Sequence, residues 1–406
     1  METKRKCFVI SGILFLGVII SSCTKEKDLK FSDSLGQTNN MLKCVILKDG
    51  SLALKQQLGK KLFFDKISDP ANKIACADCH GASVGFTGPD EKINKLGSVY
   101  PGATGSYGNR KPPSAAYATF SPVLSQVGGV FIGGNFWDGR ATGQQLWSNG
   151  SPSAEQALGP FLNPREHNVF DAKAVLKIIA KSEYISMWKM VWGEPLRYST
   201  SDEIILNFNR VGLSIAAYEG SSEVNQFSSK FDHYLKGVSK LTSEEKLGLN
   251  LFNGKGNCAK CHISTGTKPL FTDFTYDNLG VPKNPENPVY KYNPGFIDYG
   301  LGGFLLTRED YKTMADGNMG KQKVPTLRNV DKRPDNWFTK AYMHNGVFKS
   351  LKEVVHFYNT RDVKKWPAPE VTENVNKVDV GNLRLSNVEE DAIVTFLKTL
   401  SDGYVK

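Results

Sequence analysis

Apolar positions recur at helical spacing in two similar stretches of the chain. LKQQLGKKLFFDKISDPANKIACADCH leads into residue 80 and SEEKLGLNLFNGKGNCAKCH into residue 262, and both contain Leu-Gly-x-x-Leu-Phe, at Leu58–Phe63 and Leu247–Phe252. That spacing predicts a short amphipathic helix feeding a Gly/Asn-rich turn. Thr242 with Glu245 opens the second copy as a capping box. Helices are further predicted near 171–182, 202–219, 350–359 and 387–400, the last opened by Ser386 and Glu389. No segment sustains a period of two, so the fold class is mainly α with long loops. Those loops, 81–115, 127–165 and 276–325, hold most of the Gly and Pro, and no regular element is expected in them. Their Trp, Tyr, Phe and Gly content argues against disorder and predicts that they wrap a buried group.

A different pattern opens the chain. Lys4, Arg5 and Lys6 precede an apolar run of thirteen residues, Phe8–Ile20. It is shorter than the roughly 20 residues that span a bilayer and suits a secretory signal. The run ends in Ile-Ser-Ser-Cys, which resembles a bacterial lipobox with Cys23 as the lipidated first residue; an ordinary cleavage nearby is the alternative. The expectation is a signal peptide at 1–22, a polar tether at 23–50, and an exported, periplasmic chain held to a membrane by its lipid anchor only. Without residues 1–22 the chain has 384 residues, about two domains' worth, and its formal charge falls from +10 to +8, because three basic residues and one acidic residue leave. The surplus is spread along the chain rather than gathered in a stripe, which argues against a nucleic-acid partner.

Cysteine usage narrows the chemistry. Of the seven cysteines, Cys7 and Cys23 belong to the exported N-terminus, Cys44 stands alone, and four sit in two Cys-x-x-Cys-His motifs, Cys76–His80 and Cys258–His262. A disulfide framework would spread an even set along the chain. Zinc would need a fourth ligand near each trio. A redox dithiol does not require histidine after the second cysteine. Two such pentapeptides in an exported chain therefore read as two c-type haems: Cys76, Cys79, Cys258 and Cys261 would form the thioethers, and His80 and His262 would ligate the irons. Two copies of the helix–loop–motif unit predict two cytochrome c-like domains, 51–220 and 221–406. The other histidines are His167, His233, His344 and His356, and none lies between His80 and His167.

The order of further motifs resembles the bacterial dihaem cytochrome c peroxidases and their MauG-type relatives over roughly residues 51–402. It is carried by NFWDGRAT (135–142), EQALGPFLNPREH (155–167), VPTLRNV (324–330) and AYMHNGVFKSLKEVVHFYN (341–359), together with the two haem motifs. The resemblance implies that Trp137 lies between the haems and helps electrons pass. It also implies that Gln156, Pro160 and Glu166 line the far side of the first haem, with Glu166 moving a proton between peroxide oxygens.

Three departures from the typical peroxidase pattern matter. The loop after the first motif carries no histidine, so the first haem is expected to be open, as in MauG-type members. Fourteen residues after His344, where peroxidases carry methionine, stands Tyr358. The resemblance then implies tyrosinate ligation of the second iron, which stabilises the ferric state where methionine would raise the potential. His356 is about 200° around a helix from Tyr358, so only one of the two can face that iron; Met314, Met319 and Met343 are fallback ligands. Third, the family's calcium would fall to an asparagine and the carbonyls of Thr339 and Ala341. The asparagine position holds Lys111, with Asn109 two residues away. Either the lysine ammonium takes the cation site or the loop presents Asn109.

The leading expectation is a dihaem peroxidase that reduces hydrogen peroxide at the His80 haem, with electrons entering through the His262 haem from a small cytochrome c or cupredoxin. The alternatives are a MauG-type oxidation of a residue on a partner protein, and a dihaem electron carrier without substrate chemistry. The missing loop histidine and the Gln156/Glu166 pair argue against the carrier.

Overall fold

The structure is a computed structural model that describes residues 53–70, 73–146 and 150–406. The signal peptide, Cys23, the tether and Cys44 lie outside the described residues. The longer helices are α1 (Leu54–Phe64), α2 (Pro152–Leu162), α3 (Ala172–Ile179), α4 (Ile185–Trp192), α5 (Ser201–Glu219), α6 (Lys230–Leu235), α7 (Ser243–Asn253), α8 (Leu351–Thr360) and α9 (Asn387–Lys398). Shorter helical turns include Cys76–Cys79, Glu91–Lys95 and Gly300–Leu305. Among the described residues, strand structure beyond isolated bridges is limited to two small antiparallel pairs, β1 (Ser125–Val127) with β2 (Val130–Ile132), and β3 (Tyr276–Asp277) with β4 (Gln322–Lys323).

The expected helices form close to where periodicity puts them, and their starts follow the capping residues. Thr242 Oγ1 accepts from the Glu245 amide while Glu245 returns a bond to the Thr242 amide, and Ser386 and Glu389 do the same for α9. Helix α2 corrects the sequence reading, which expected no regular element across 127–165. Ser151 caps it, Pro152 takes its first position, and Pro160 falls in its last turn. There the missing N–H deprives only the Gln156 carbonyl of its helical partner, so a Gly-Pro pair that looks like a loop is tolerated.

Two hydrophobic clusters organise these elements. The first gathers Leu58, Leu62 and Phe63 of α1 with Phe161, Leu176, Trp188, Val211 and Ile215. The second gathers Leu251 and Phe252 of α7 with Val355, Phe357, Ile393 and Phe396. The shared Leu-Gly-x-x-Leu-Phe motif does the same job in each. A Cβ on Gly59 would overlap the Ser214 carbonyl of α5, and a Cβ on Gly248 would overlap the Ala392 carbonyl of α9. Each glycine lets two helix backbones touch, while the Leu and Phe one turn on fill the cluster beside the crossing.

Alanine at Gly248 would gain about 1 kcal/mol of helix propensity, but its methyl must displace a backbone carbonyl, and the clash dominates. Gly248→Ala is expected to destabilise the protein by about 1–3 kcal/mol in urea denaturation. Gly295→Ala, where an added Cβ meets nothing within 4 Å, should stay within about 0.5 kcal/mol of wild type.

Candidate haem-binding site

Each Cys-x-x-Cys-His segment is a single helical turn, closed by a bond from the histidine amide to the first cysteine carbonyl, 2.9 Å at both His80 and His262. The four thiols are unpaired, and burial raises all of them, Cys79, Cys258 and Cys261 to about 12. Each imidazole is fixed by a backbone carbonyl at Nδ1, His80 by Phe86 at 3.1 Å and His262 by Phe271 at 2.8 Å. A carbonyl can only accept, so Nδ1 carries the proton and Nε2 keeps its lone pair. Burial adds to this by pushing His80 down to about 4 and His262 in the same direction. Both rings are neutral donors.

The carbonyls are themselves held by a scaffold that is built twice. Phe86 and Phe271 have left-handed backbones, φ 58° and 54°. The threonine after each donates to a carbonyl ahead of a proline, Thr87 to Pro112 and Thr272 to Val324, both at 2.7 Å. The hydroxyl after that proline returns the bond, Ser114 to Gly85 at 2.7 Å and Thr326 to Leu270 at 2.6 Å. A second correspondence follows. Phe136-Trp137 and Met343-His344 sit in matching tight loops, closed by the bridges Asn135↔Ala141 and Tyr342↔Phe348. Phe136 and Met343 are left-handed at φ 63° and 67°. The sequence reading found the first half of this repeat and missed the second. Aligning KPPS with KVPT and FWDGRA with MHNGVF was the signal available.

The two histidines open into a crevice with two lobes. The first lobe is lined by His80, Gln156, Pro160 and Glu166, with His167 and Glu219 also on its wall. The second lobe is lined by Cys258, Cys261, His262, Met343 and Tyr358. His80, Trp137 and Gln156 border both. Glu166 Oε1 accepts from Asn163 Nδ2 at 3.0 Å, and burial raises its carboxyl against the opposing pull of Arg140. His167 has its Nδ1 tied to the Ile67 carbonyl at 2.7 Å.

Trp137 is 8% exposed. Its indole N–H donates to the Lys111 carbonyl at 2.9 Å, its own carbonyl accepts from the Lys323 amide at 2.8 Å, and its ring meets His344 edge-on at 6.4 Å. Beside it Arg110 makes a bidentate pair with Asp298 (2.7 and 2.6 Å) and a third bond to Asp138 (2.5 Å).

Tyr358 borders the second lobe with its hydroxyl 3.9 Å from Met343 Sδ, so two of the expected ligand candidates lie together. His356 faces the other way, its Nδ1 2.8 Å from Glu390 Oε1. Met314 and Met319 do not border the crevice. Burial raises the Tyr358 phenol, reinforced by the Cys258 and Cys261 thiols.

The Paracoccus denitrificans methylamine utilization protein MauG is 31% identical over 85% of this chain and 88% of its own length. The chain belongs to the di-haem cytochrome c peroxidase family. The family's own model, di-haem cytochrome c peroxidase, matches residues 53–240. The cytochrome c551 peroxidase of Nitrosomonas europaea is 28% identical, covering 85% of this chain and 79% of that protein. Among solved structures, the diheme peroxidase BthA from Burkholderia thailandensis superposes with a TM-score of 0.70 at 28% identity, covering 86% of each chain.

Membership makes the protein an oxidoreductase with two haem cofactors, and the crevice suits them. It pairs a neutral, Nδ1-pinned histidine with two unpaired, half-buried thiols on each of two walls, and apolar side chains such as Leu279, Val355 and Ile393 line much of the second lobe. The family's calcium is another matter. Asn109 borders the first lobe, Ala341 the second and Thr339 neither. The Thr339 carbonyl accepts from Asn94 Nδ2 at 3.2 Å, and among the described residues no group of three His, Cys, Asp or Glu side chains gathers at one point. Calcium requires six to eight oxygens, usually with carboxylates among them. These residues do not fit it. No helix among the described residues is long and apolar enough to cross a membrane.

Glu219 on α5 was not foreseen. It is 4% exposed, and burial alone pushes it up to about 8. Between the ordinary carboxyl range and that value the folded chain holds a proton that the unfolded chain releases, so this residue's contribution to stability is full at low pH and lost as pH rises toward 8. Glu219→Gln should therefore gain stability relative to wild type between pH 5 and pH 8 in urea melts. A constant difference across that range would mean Glu219 is already ionised.

Proposed function

We propose that the protein is a dihaem c-type peroxidase that reduces hydrogen peroxide in the lobe beside His80, using electrons delivered through the lobe beside His262. One observation carries this reading: on the twice-built scaffold, the helix position that holds Tyr358 in the second half holds glycine in the first. Ser151 and Ser350 cap α2 and α8 alike, so Tyr358 on α8 corresponds to Gly159 on α2. An added Cβ at Gly159 would touch Phe136, as Tyr358 touches Met343. Where the second lobe carries a ligating side chain, the first carries none and is bordered by Gln156 and Glu166 instead.

The haem groups would be joined through Cys76, Cys79, Cys258 and Cys261 and held at iron by His80, His262 and Tyr358, within domains 51–220 and 221–406. Haem iron, when bound, would supply the redox chemistry. The chain supplies the rest. Peroxide becomes two waters by gaining two electrons and two protons, and the O–O bond breaks only if a proton reaches the departing oxygen. Glu166 would make that transfer: burial favours its protonated form, Asn163 donates to its Oε1, and the residue lines the lobe. Gln156 adds an amide that orients the peroxide. Trp137, fixed at its N–H and its carbonyl, gives a rigid aromatic bridge between lobes. The electron donor is a small periplasmic cytochrome or cupredoxin, reached by an exported chain whose Cys23 is lipidated.

Tyr358 and the MauG relative support a second reading, in which the oxidising equivalents leave to a residue on a partner protein. Two measurements test these readings. Glu166→Gln should lower the peroxide turnover rate with a reduced donor about 100-fold or more with the ferric spectrum retained; unchanged turnover would remove the acid–base role. Electron paramagnetic resonance of ferric wild type should give one high-spin and one low-spin signal. His167→Ala should leave the high-spin signal in place, and Tyr358→Phe should remove the low-spin one. A low-spin signal that survives Tyr358→Phe assigns the ligand to Met343 and leaves the first reading standing without the second.

A further inference from the structure

Lysine is rarely buried without a carboxylate beside it. Lys111 is 9% exposed and Lys340 5%. The Lys340 ammonium is enclosed by three backbone carbonyls, Val84 and Lys332 at 2.9 Å and Asn329 at 3.0 Å. Burial and the nearby Lys111 push its proton affinity down, yet three acceptors around one nitrogen need three N–H donors. Only the ammonium has them; a neutral amine would turn its lone pair on one of the carbonyls. The Lys111 ammonium donates to Thr87 Oγ1 and to its neighbour's carbonyl at Pro112, both at 3.0 Å, and lies 5.9 Å from the centre of the Trp137 ring.

These contacts join the two halves of the scaffold. Val84 and Thr87 belong to the loop that follows His80, whereas Asn329 and Lys332 follow the second-half proline turn. Lys111 also ties the matching loops together through its backbone, its N–H donating to the His344 carbonyl at 2.8 Å and its carbonyl accepting the Trp137 indole. The position is one where a bound cation would be held by main-chain oxygens, and here the chain supplies the cations itself.

We propose that Lys111 and Lys340 are the resident cations of the junction between the two lobes, fixing Trp137 and placing positive charge beside it, so that the junction takes no metal ion. The effect on Trp137 rests on the function proposed above; the metal content does not. Lys340 closes the seam between the halves, and Lys111 is a positioning residue acting through Trp137 and the first lobe.

The test uses the full chain with its haems attached. After dialysis against micromolar calcium, elemental analysis should find less than a tenth of an equivalent of calcium per chain. Neither EDTA nor added calcium should move the melting temperature or the haem midpoint potentials. Lys111→Met should lower the midpoint of the haem carried by His80, because a lost positive charge favours the ferric form, and Lys111→Arg should restore it. Lys340→Met should lower the melting temperature by leaving three carbonyls without donors. One tightly held calcium, with EDTA shifting the potentials, would overturn the proposal whether or not either variant folds. A Lys111→Met midpoint equal to wild type would overturn the electrostatic half. Both results can be read even if the protein turns over no peroxide, so they fail separately from the peroxidase reading.

Discussion

The site depends on one hydrogen bond made twice, from imidazole Nδ1 to the carbonyl of a left-handed phenylalanine. A histidine side chain has two free torsions, and its Nε2 has a useful direction only if both are fixed. The Phe86 and Phe271 carbonyls fix them, but a bulky residue at positive φ costs of order 1 kcal/mol or more and persists only when its surroundings impose it. Here the imposition is explicit. Thr87 and Ser114 lash the first loop to its proline turn, and Thr272 and Thr326 lash the second. Each lashing is a hydroxyl donating to a carbonyl, so the loops need no regular secondary structure to be rigid. The same bond decides the tautomer, and with it which nitrogen is available as a ligand.

On this common scaffold the two halves differ by few side chains, and the differences are chemical rather than architectural. Trp137 in one half corresponds to His344 in the other, Phe136 to Met343 and Gly159 to Tyr358. The first half thereby gains a polarisable bridge and an uncovered wall, and the second gains a phenol and a thioether on the matching wall. Asymmetry of this kind asks nothing of the fold, because each substitution points into the crevice and leaves the lashings intact. On the function proposed above, one unit used twice would in this way serve as a reacting lobe and as a relay.

What could be read from the sequence follows from where the information sits. The α1 and α7 motifs were legible because helix crossing, glycine contact and cluster filling all act within six residues. The end caps of α7 and α9 were legible because they are side-chain bonds over three positions. Helical rotation alone showed that only one of Tyr358 and His356 can face the crevice; the choice of Tyr358 came from the family resemblance through its fourteen-residue offset from His344. Helix α2 was not legible, since Gly159 and Pro160 look like a loop until the residues they would disrupt are seen to lie in the last turn. The second part of the repeat was hidden because it is conserved in backbone torsion: Phe136 and Met343 share a φ value and little else. Lys340 gave no signal at all, because the carbonyls that enclose it come from residues 84, 329 and 332.

The charges at the junction share a property that bears on electron passage. Arg110 is held by three hydrogen bonds to two carboxylates, Lys340 by three carbonyls, and Lys111 by two acceptors while its backbone binds both His344 and Trp137. None of these groups can reorient without breaking several buried bonds at once. For the charge transfer between the lobes proposed above, water or mobile side chains would have to rearrange, and that rearrangement would set much of the barrier. Fixed dipoles and ammonium groups incur that cost once, during folding, and little of it again at each transfer. A mobile ion or solvent cluster beside Trp137 would make each transfer depend on its own exchange; covalently tethered cations remove that dependence. The burial of so much charge in the junction is costly for stability, and its offset is an environment that stays the same whichever lobe holds the electron.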